Sequence, residues 1–280
     1  MHALTLPIPW WAVEPDTMAP TGSPAQIKKL LLPLFVQVAM SDSLRADSLG
    51  FWRLGEERYW LPRFVFQRTP RIKQRIKIGI FAGIHGDEQA GIHGLMDFVR
   101  ELNADPELGR DYQLFLYPIC NPTGFLDGTR HSRSGRDLNR EFWRGSQEPE
   151  VMLLEEELRR QQFDGIIALH SDDTSDGVYG FVSGSVLAEH LLKPALAVAE
   201  RSLPRNKLNK IDGFHAVEGI IYSGYGGILS APPDTPRTPF EIVLETPHLA
   251  PQKLQQETFV ASLKAILKEY RQMISYAADL

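Results

Sequence analysis

The sequence predicts an α/β fold, with a mixed, mostly parallel twisted sheet and helices on both faces. Short runs rich in β-branched and aromatic residues alternate along the chain with stretches in which apolar residues recur every three to four positions. Several of the short runs are apolar throughout, which is typical of strands buried on both faces of a sheet. At 280 residues, the chain is long enough for one large α/β domain or two small ones.

The first part of the chain has weak periodicity. Residues 1–26 are rich in Pro, Thr and Ser, and they predict an irregular arm. The segment LLPLFVQVA, residues 31–39, fits either a short helix or a short strand. The runs WLPRFVFQR (60–68) and IKIGIFAG (76–83) predict strands, because each is short, apolar and bounded by Pro or Gly.

We divide the chain near residue 70. Residues 1–70 are expected to form an N-terminal arm or small extension that packs on the main domain, and residues 71–280 are expected to form that domain. The N-terminal part matches no known pattern, which leaves a propeptide remnant, an oligomerisation arm and a lid as alternatives.

The main domain alternates strands and helices. After Gly86 the apolar period changes to that of a helix, whose buried face is predicted to hold Ile92, Leu95, Met96, Val99 and Leu102. Further strands are predicted at 114–120, 165–171, 179–184 and 240–246, helices at 151–162, 187–203 and 251–275, and a long loop at 121–147. The last helix is predicted to turn six residues inward: Leu254, Leu263, Ile266, Leu267, Tyr270 and Ile274.

Composition excludes several classes of function. The formal net charge of −5 argues against a general nucleic-acid-binding protein. The single cysteine, Cys120, rules out an internal disulfide and a thiolate-rich metal site. No window approaches the roughly 20 apolar residues that span a bilayer, and the first residues lack a secretory signal. We therefore expect a soluble, cytoplasmic protein with no nucleic-acid or membrane partner.

Polar residues with metal-binding chemistry follow the predicted strands. His85 and Glu88 lie in GIHGDE directly after one strand, and His170 ends another. Two imidazoles and one carboxylate form the ligand set of a hydrolytic zinc site. Glycines at 83 and 86 would allow the backbone to turn sharply, so that His85 and Glu88 face the same ion. Because ligand sites in such sheets lie beyond the carboxyl ends of the strands, a metal site is predicted there.

Arginines are concentrated in the long loop. Residues 121–143 carry four of them, at positions 130, 133, 136 and 140, in a chain that is acidic overall. A guanidinium matches a carboxylate in a bidentate way, and Asn139 would add a directional donor. Arg130 and Arg140 are therefore predicted to bind an anionic substrate, whereas Arg133 and Arg136 are interpreted as solvated loop residues.

These segments together resemble the motifs of a known protein family. HGDE, NPTGF, GTRHSRSGRDLNREF, ALHS, IYSGYGG and VLETP, in this order, resemble motifs of the zinc carboxypeptidase family, close to its succinylglutamate desuccinylase and aspartoacylase branch. The resemblance covers residues from about 76 to 250, and the pair GTR and DLNR is its specific part. No HExxH motif occurs, which excludes a thermolysin-type site.

The resemblance implies a role for each motif. The zinc ligands would be His85, Glu88 and His170, with one Zn²⁺ bound. Glu245 would be the general base and acid, and Arg130 would stabilise the oxyanion. The substrate's carboxylate would be bound by Asn139 and Arg140, and Tyr222 would close over a peptide substrate.

Three rival assignments stay open. Glu241 lies four residues before Glu245 on the same predicted strand face, so strand parity does not separate the two. Tyr225 is the alternative to Tyr222. The acidic turn after His170, which contains Asp172 and Asp173, would either position a second metal or orient His170.

The sequence thus predicts a zinc-dependent hydrolase that cleaves an amide bond next to a free carboxylate, most simply a metallocarboxypeptidase. A deacylase acting on small N-acyl amino acids is the alternative, and a catalytically silent carboxylate-binding module is a third. The partner would be a small peptide or an N-acyl amino acid. Ile228 and Leu229, which follow the glycines of IYSGYGG, suggest an uncharged specificity pocket.

Overall fold

The computed structural model describes residues 22–68, 76–183, 185–236 and 238–278. Its strands in this part of the chain are β1 (Leu44–Leu54), β2 (Glu57–Phe66), β3 (Ile76–Ala82), β4 (Tyr112–Tyr117), β5 (Gly165–Asp172), β6 (Tyr179–Ser183), β7 (Lys210–Ile211), β8 (Phe214–His215), β9 (Ile220–Ile221) and β10 (Phe240–Pro247). Its α-helices are α1 (Pro24–Ala39), α2 (Gln89–Ala104), α3 (Pro122–Asp127), α4 (Pro149–Gln161), α5 (Ser185–Ala199) and α6 (Gln252–Ala278).

Eight of the strands form one sheet in the order β1-β2-β4-β3-β5-β10-β6-β9. The four central strands β4, β3, β5 and β10 are parallel to one another, and β6 and β9 form a further parallel pair. The β1/β2, β2/β4 and β10/β6 pairs are antiparallel. The predicted mixed, mostly parallel sheet is therefore confirmed.

Successive side chains of the central strands point to opposite faces of the sheet, where they pack in two separate hydrophobic cores. On one face, Ile78, Ile80 and Leu169 pack in a cluster to which α1, α2, α5 and α6 contribute. On the other face, Phe81 and Ile166 pack with residues of α4. Both faces are covered by helices, which explains why these strands are apolar at nearly every position.

The N-terminal segment extends this sheet. Strand β2 pairs with β4, and Ile27, Leu31 and Leu34 of α1 are buried in the larger core. The segment 31–39, which the sequence left open, is helical, and this helix already begins at Pro24. The predicted irregular arm therefore ends before Pro24 rather than at residue 26. Its first 21 residues lie outside the described part of the chain.

Further details differ from the sequence prediction, among them the six-residue helix α3 inside the segment 121–147, which the sequence predicts as a loop. Strand β1 was not predicted, because it is an edge strand in which only Leu44 is buried. Ile274 is 37% exposed rather than inward, whereas its neighbour Met273 packs against the larger core. Among the described residues, no helix combines the length and hydrophobicity that a membrane span requires.

A buried carboxyl group at the start of α4 provides a test of how this helix packs on the sheet. Glu150 is only 2% exposed, and burial, with a smaller effect of Glu148, raises its pKa to about 7. The folded state therefore holds a proton that the unfolded state releases above pH 4.5, so this group's contribution to stability is lost as the pH rises through about 7. We expect wild type to lose about 2 kcal/mol more stability than Glu150→Gln between pH 5 and pH 8.

Urea denaturation of both proteins at the two pH values measures this difference. Glu156→Gln, at an exposed position of the same helix, is the matched control and should follow wild type. Parallel pH dependences for wild type and Glu150→Gln would show that Glu150 is ionised in the folded state.

Candidate metal centre and active site

The parallel strands β3, β5 and β10 end at the same edge of the sheet. His85 and Glu88 lie between β3 and α2, whereas His170 belongs to the end of β5. Glu245 of β10 is the direct register partner of His170. A cavity of about 540 Å³ opens at this edge, and all four side chains line it. The topology thus brings together three segments that are far apart in the sequence.

Two glycines allow the backbone to form this turn. Gly83 has a φ of 63°, a value that a residue with a Cβ rarely adopts. At Gly86, a Cβ would lie 1.9 Å from the carbonyl carbon of Gly124, so only glycine permits the contact with the start of α3. Both glycines therefore fix the path of the chain on either side of His85.

His85, Glu88 and His170 form a compact donor group. The Nδ1 atoms of the two histidines are 3.2 Å apart, and they lie 2.5 Å and 2.9 Å from Glu88 Oε1 and Oε2, respectively. Suitable ligand atoms of the three residues all lie within 4.8 Å of one another. Donors about 2.0–2.2 Å from a tetrahedral zinc ion would be about 3.3 Å apart, so the nitrogen–nitrogen spacing fits such an ion. The chemistry of the donor set also fits, because two imidazoles and a carboxylate leave one position open.

Two of the three donors, His170 and Glu88, are in the protonation state that binds a metal. Burial lowers the pKa of His170, and neutral imidazole is the form that binds a metal. Burial alone would raise the pKa of Glu88, but His85 and His170 outweigh it and lower this pKa below its usual range. The backbone N–H of Ser171 also donates to Glu88 Oε2 at 3.0 Å. The carboxylate is thus ionised and held in place. Burial alone would lower the pKa of His85, but Glu88 and Asp137 outweigh it and raise this pKa.

Asp137 supports the donor group from outside, although it is not among the site residues predicted from the sequence. Its Oδ1 lies 3.1 Å from His85 Nε2, the ring nitrogen that faces away from Glu88. Arg130 donates to Asp137 Oδ2 from Nε at 3.1 Å and from Nη2 at 3.0 Å. A carboxylate bonded to the second nitrogen of a ligating histidine fixes its tautomer and orientation. The available signal was its place in DLNR, the motif that also contains Asn139 and Arg140.

We expect Asp137→Ala to weaken zinc binding by about 10–100-fold, because His85 would lose the group that orients it. A competition titration with a chromogenic chelator measures this change. Asp105→Ala, at an exposed position after α2, serves as the control. An unchanged zinc affinity in Asp137→Ala would contradict the supporting role.

Arg130 reaches the donor group from the long loop. Its Nη1 lies 3.3 Å from His85 Nδ1 and 3.7 Å from Glu88 Oε1. The side chain is 39% exposed and borders the cavity. A guanidinium at this position can donate hydrogen bonds to a group bound beside the donor group.

Asn139 and Arg140 lie beside Arg130 on a short 3-10 turn. Asn139 is buried, its Nδ2 lies 3.5 Å from His170 Nε2, and its Oδ1 accepts a hydrogen bond from the backbone N–H of Leu229 at 2.9 Å. Arg140 donates to the carbonyl oxygen of Asn139 at 2.7 Å, and its guanidinium lies 4.1 Å from the ring centre of Tyr225. Both side chains line the cavity, so an anionic group would meet an amide and a guanidinium there.

The other two arginines of the loop lie elsewhere. Arg133 binds Asp127 and Glu57, and Arg136 is 64% exposed near Glu141. Neither residue lines the cavity. Arg136 is solvated as predicted, whereas Arg133 is held by its ion pairs with Asp127 and Glu57.

The structure separates the two glutamates of β10. Glu245 lines the cavity of the donor group, whereas Glu241 lines a second, adjoining cavity. Burial, followed by the negative charge of Glu88, raises the pKa of Glu245 well above its usual value, against the opposing effect of Arg130. A carboxyl group with a raised pKa beside the donor group is suited to proton transfer.

The structure also separates the two tyrosines. Tyr222 is 53% exposed and lines the second cavity but not the first, so the structure does not bring it to the donor group. Tyr225 lines both cavities, contacts Arg140 and donates from its hydroxyl to the carbonyl oxygen of Asp212 at 3.2 Å. Its position favours Tyr225 as the residue that contacts a bound molecule.

The acidic residues after His170 line the cavity without joining the donor group. Asp172 accepts from the Tyr179 hydroxyl at 2.8 Å and from the backbone N–H of Thr174 at 2.7 Å. Asp173 is exposed at the rim. A second metal at these aspartates stays a prediction.

Comparisons with known proteins agree with the fold. The family model of the succinylglutamate desuccinylase/aspartoacylase catalytic domain matches residues 74–212. No curated protein matches the sequence. Among solved structures, a candidate metallopeptidase from Shewanella baltica OS155 has a TM-score of 0.72 at 24% identity, with 86% of this chain and 91% of that chain covered.

Two structures of carboxypeptidases show the same fold. The metallo-carboxypeptidase from Burkholderia cenocepacia has a TM-score of 0.67 at 18% identity, with 88% of this chain and 69% of that chain covered. Carboxypeptidase A from Helicoverpa armigera has a TM-score of 0.67 at 13% identity, with 91% of this chain and 74% of that chain covered. Together with the family model, these similarities confirm the predicted resemblance.

Proposed function

We propose that this chain, a relative of the zinc carboxypeptidases near the succinylglutamate desuccinylase and aspartoacylase branch, is a zinc-dependent hydrolase that cleaves an amide bond next to a free carboxylate. The observation that carries the proposal is the donor group itself: His85, Glu88 and His170 come from two segments far apart in the sequence and line one cavity. Glu245, Arg130 and Arg140 line the same cavity and supply the remaining chemistry.

In this proposal His85, Glu88 and His170 hold one Zn²⁺, and Asp137 orients His85. When bound, the ion would polarise the substrate carbonyl and lower the pKa of a water molecule to about 7. Glu245 would accept the proton of the attacking water and then transfer it to the leaving amine. Arg130 would donate hydrogen bonds to the oxygen on which negative charge develops.

Substrate orientation would come from the other loop residues. Arg140 and Asn139 would hold the free carboxylate of the substrate, since a guanidinium and an amide offer donors that match its oxygens. Tyr225, whose ring contacts the Arg140 guanidinium, would cover the bound group. With the carboxylate held by Arg140 and Asn139, the neighbouring amide bond of the substrate would lie between Arg130 and Glu245 and would be the bond that is cleaved.

A metallocarboxypeptidase is our first proposal for the substrate class, because the cavity is about 540 Å³ and continues into a second one beside Tyr225. A deacylase of N-acyl amino acids is the second candidate, favoured by the family model that matches residues 74–212. Both candidates use the same residues, so the substrate alone separates them.

A substrate panel tests the proposal. Purified protein supplied with zinc would be assayed on N-blocked dipeptides and on N-acetyl and N-succinyl amino acids, with amine release as the readout. Cleavage of the dipeptides supports the carboxypeptidase, and cleavage of the acyl amino acids alone supports the deacylase. Zinc-loaded protein that cleaves no member of either set would contradict the hydrolase and leave the carboxylate-binding module.

A further inference from the structure

A second cavity opens beside the proposed active site. It measures about 260 Å³ and shares Phe181, Tyr225, Ile228 and Val243 with the first cavity. Val243 lies between Glu245 and Glu241, and all three belong to β10. Side chains two residues apart lie on one face of a strand, so this face passes from the first cavity into the second. A molecule bound at Glu245 can therefore extend along the strand.

One charged side chain stands in a wall that is otherwise apolar or neutral. Ile166, Ala168, Phe181 and Leu229 line the second cavity, as the apolar Ile228-Leu229 pair suggested. Among the described residues that line it, only Glu241 carries a charge. The expectation of an uncharged pocket is therefore correct for its walls and wrong at Glu241.

Among the described residues, one group forms a hydrogen bond with the Glu241 carboxylate. Its Oε1 accepts a hydrogen bond from the backbone N–H of Ala231 at 2.5 Å. In the part of the chain that the structure describes, no basic side chain forms an ion pair with it. Burial raises its pKa, which reflects the cost of a negative charge in these surroundings. A cation from outside the protein would offset that cost.

We propose that Glu241 makes the second cavity a binding site for a positively charged substrate side chain, with an ammonium or guanidinium group on an aliphatic stem. This inference rests on the proposed function, since it assumes that the substrate's carboxylate lies at Arg140. Glu241 is a specificity residue in this account, because it would contact the substrate far from the cleaved bond.

The spacing suits a lysine-like or arginine-like stem. Glu241 and Glu245 are four residues apart in β10, and four residues of a strand span about 13 Å. A stem of about four carbons, as in lysine, would run past Val243 along the apolar wall and bring its charged end to Glu241. A neutral side chain would leave the carboxylate without a cation, and an acidic one would be repelled.

Calorimetric titration of the zinc-loaded protein at pH 8 with L-lysine and with L-norleucine tests this inference. The two amino acids share a linear four-carbon stem and differ in the terminal ammonium group. We expect wild type to bind lysine at least tenfold more tightly than norleucine. Equal affinities, or tighter binding of norleucine, would overturn the inference, and this comparison requires no variant.

Glu241→Gln then identifies the residue. Glutamine keeps an oxygen that accepts the Ala231 N–H but removes the charge, so we expect the preference for lysine to disappear. Asp234→Asn is the matched control, because Asp234 is an exposed carboxylate of the nearby loop that does not line the cavity. A lysine preference that persists in folded Glu241→Gln would show that another acidic group binds the cation.

Hydrolysis separates this inference from the proposed function. N-blocked dipeptides that end in lysine or norleucine would be offered to the same protein. Binding that prefers lysine without cleavage of either peptide contradicts the hydrolase but supports the cation site. Cleavage of both peptides with equal kcat/KM, together with equal binding of the two amino acids, supports the hydrolase and rejects the cation site.

Discussion

Glu245→Gln is expected to lower kcat by about a thousandfold on any substrate that wild type cleaves. Glutamine has nearly the same size, but it cannot accept the proton of the attacking water, and general base catalysis contributes about 10²–10⁴-fold. Glu245 is the register partner of His170 and lines the same cavity without belonging to the donor group. The variant should therefore bind zinc as wild type does.

Steady-state kinetics and metal analysis of the same preparation measure both effects. Glu257→Gln, at an exposed position of α6, is the control for removal of a carboxylate. Near wild-type turnover in Glu245→Gln would contradict its role as the base. Loss of zinc together with turnover would instead place Glu245 among the metal ligands.

His85→Ala is expected to release the metal and with it the activity. In structural zinc sites about 10–16 kcal/mol of binding free energy is shared by four ligands, so loss of one ligand corresponds to about 3–4 kcal/mol. This amounts to a zinc dissociation constant about 10²–10³-fold higher. The effect should exceed that of Asp137→Ala, because His85 donates directly and Asp137 acts through it.

Zinc titration of His85→Ala and His93→Ala makes this comparison with a matched control. His93 lies on α2, eight positions after His85, and does not belong to the donor group. Equal zinc affinity in wild type and His85→Ala would contradict the assignment of this ligand. A loss of affinity in both variants would point to damage of the fold around α2 rather than to a lost ligand.

The central strands could be predicted from the sequence because strands that are buried on both faces consist mostly of apolar residues. Strands β3, β5 and β10 are apolar at most positions, and α2 shows its buried face at Ile92, Leu95 and Met96. Strand β1 carries no such signal, since an edge strand with one buried residue looks like a loop. In α1, Pro33 obscured a helix whose inner face nevertheless holds Leu31 and Leu34.

The candidate site was predictable where a motif and a strand end coincide. His85, Glu88 and His170 all meet this condition, and the structure brings them together. Contacts between distant loops were not predictable, which is why Asp137 was missed. The alternation of side chains along a strand could not separate Glu241 from Glu245, because both lie on the same face of β10. They differ only in their position along the strand, which places them in different cavities.

The tyrosines show a further limit of sequence patterns. Tyr222 and Tyr225 are three residues apart in one loop, and a pattern alone does not tell which of them faces the cavity. In the structure Tyr225 is held by Arg140 and by ring contacts with Phe214 and Phe181, whereas Tyr222 faces the second cavity and solvent. The packing of neighbouring loops therefore decides the position of each ring.

The metal content of the purified protein tests the central claim most directly. Elemental analysis of wild type, after dialysis to remove loosely bound ions, is expected to find about one zinc per chain. A protein that holds no zinc, even after zinc is added back and the excess removed, would contradict the account, because the proposed roles of Glu245 and Arg130 in hydrolysis depend on a metal at His85, Glu88 and His170.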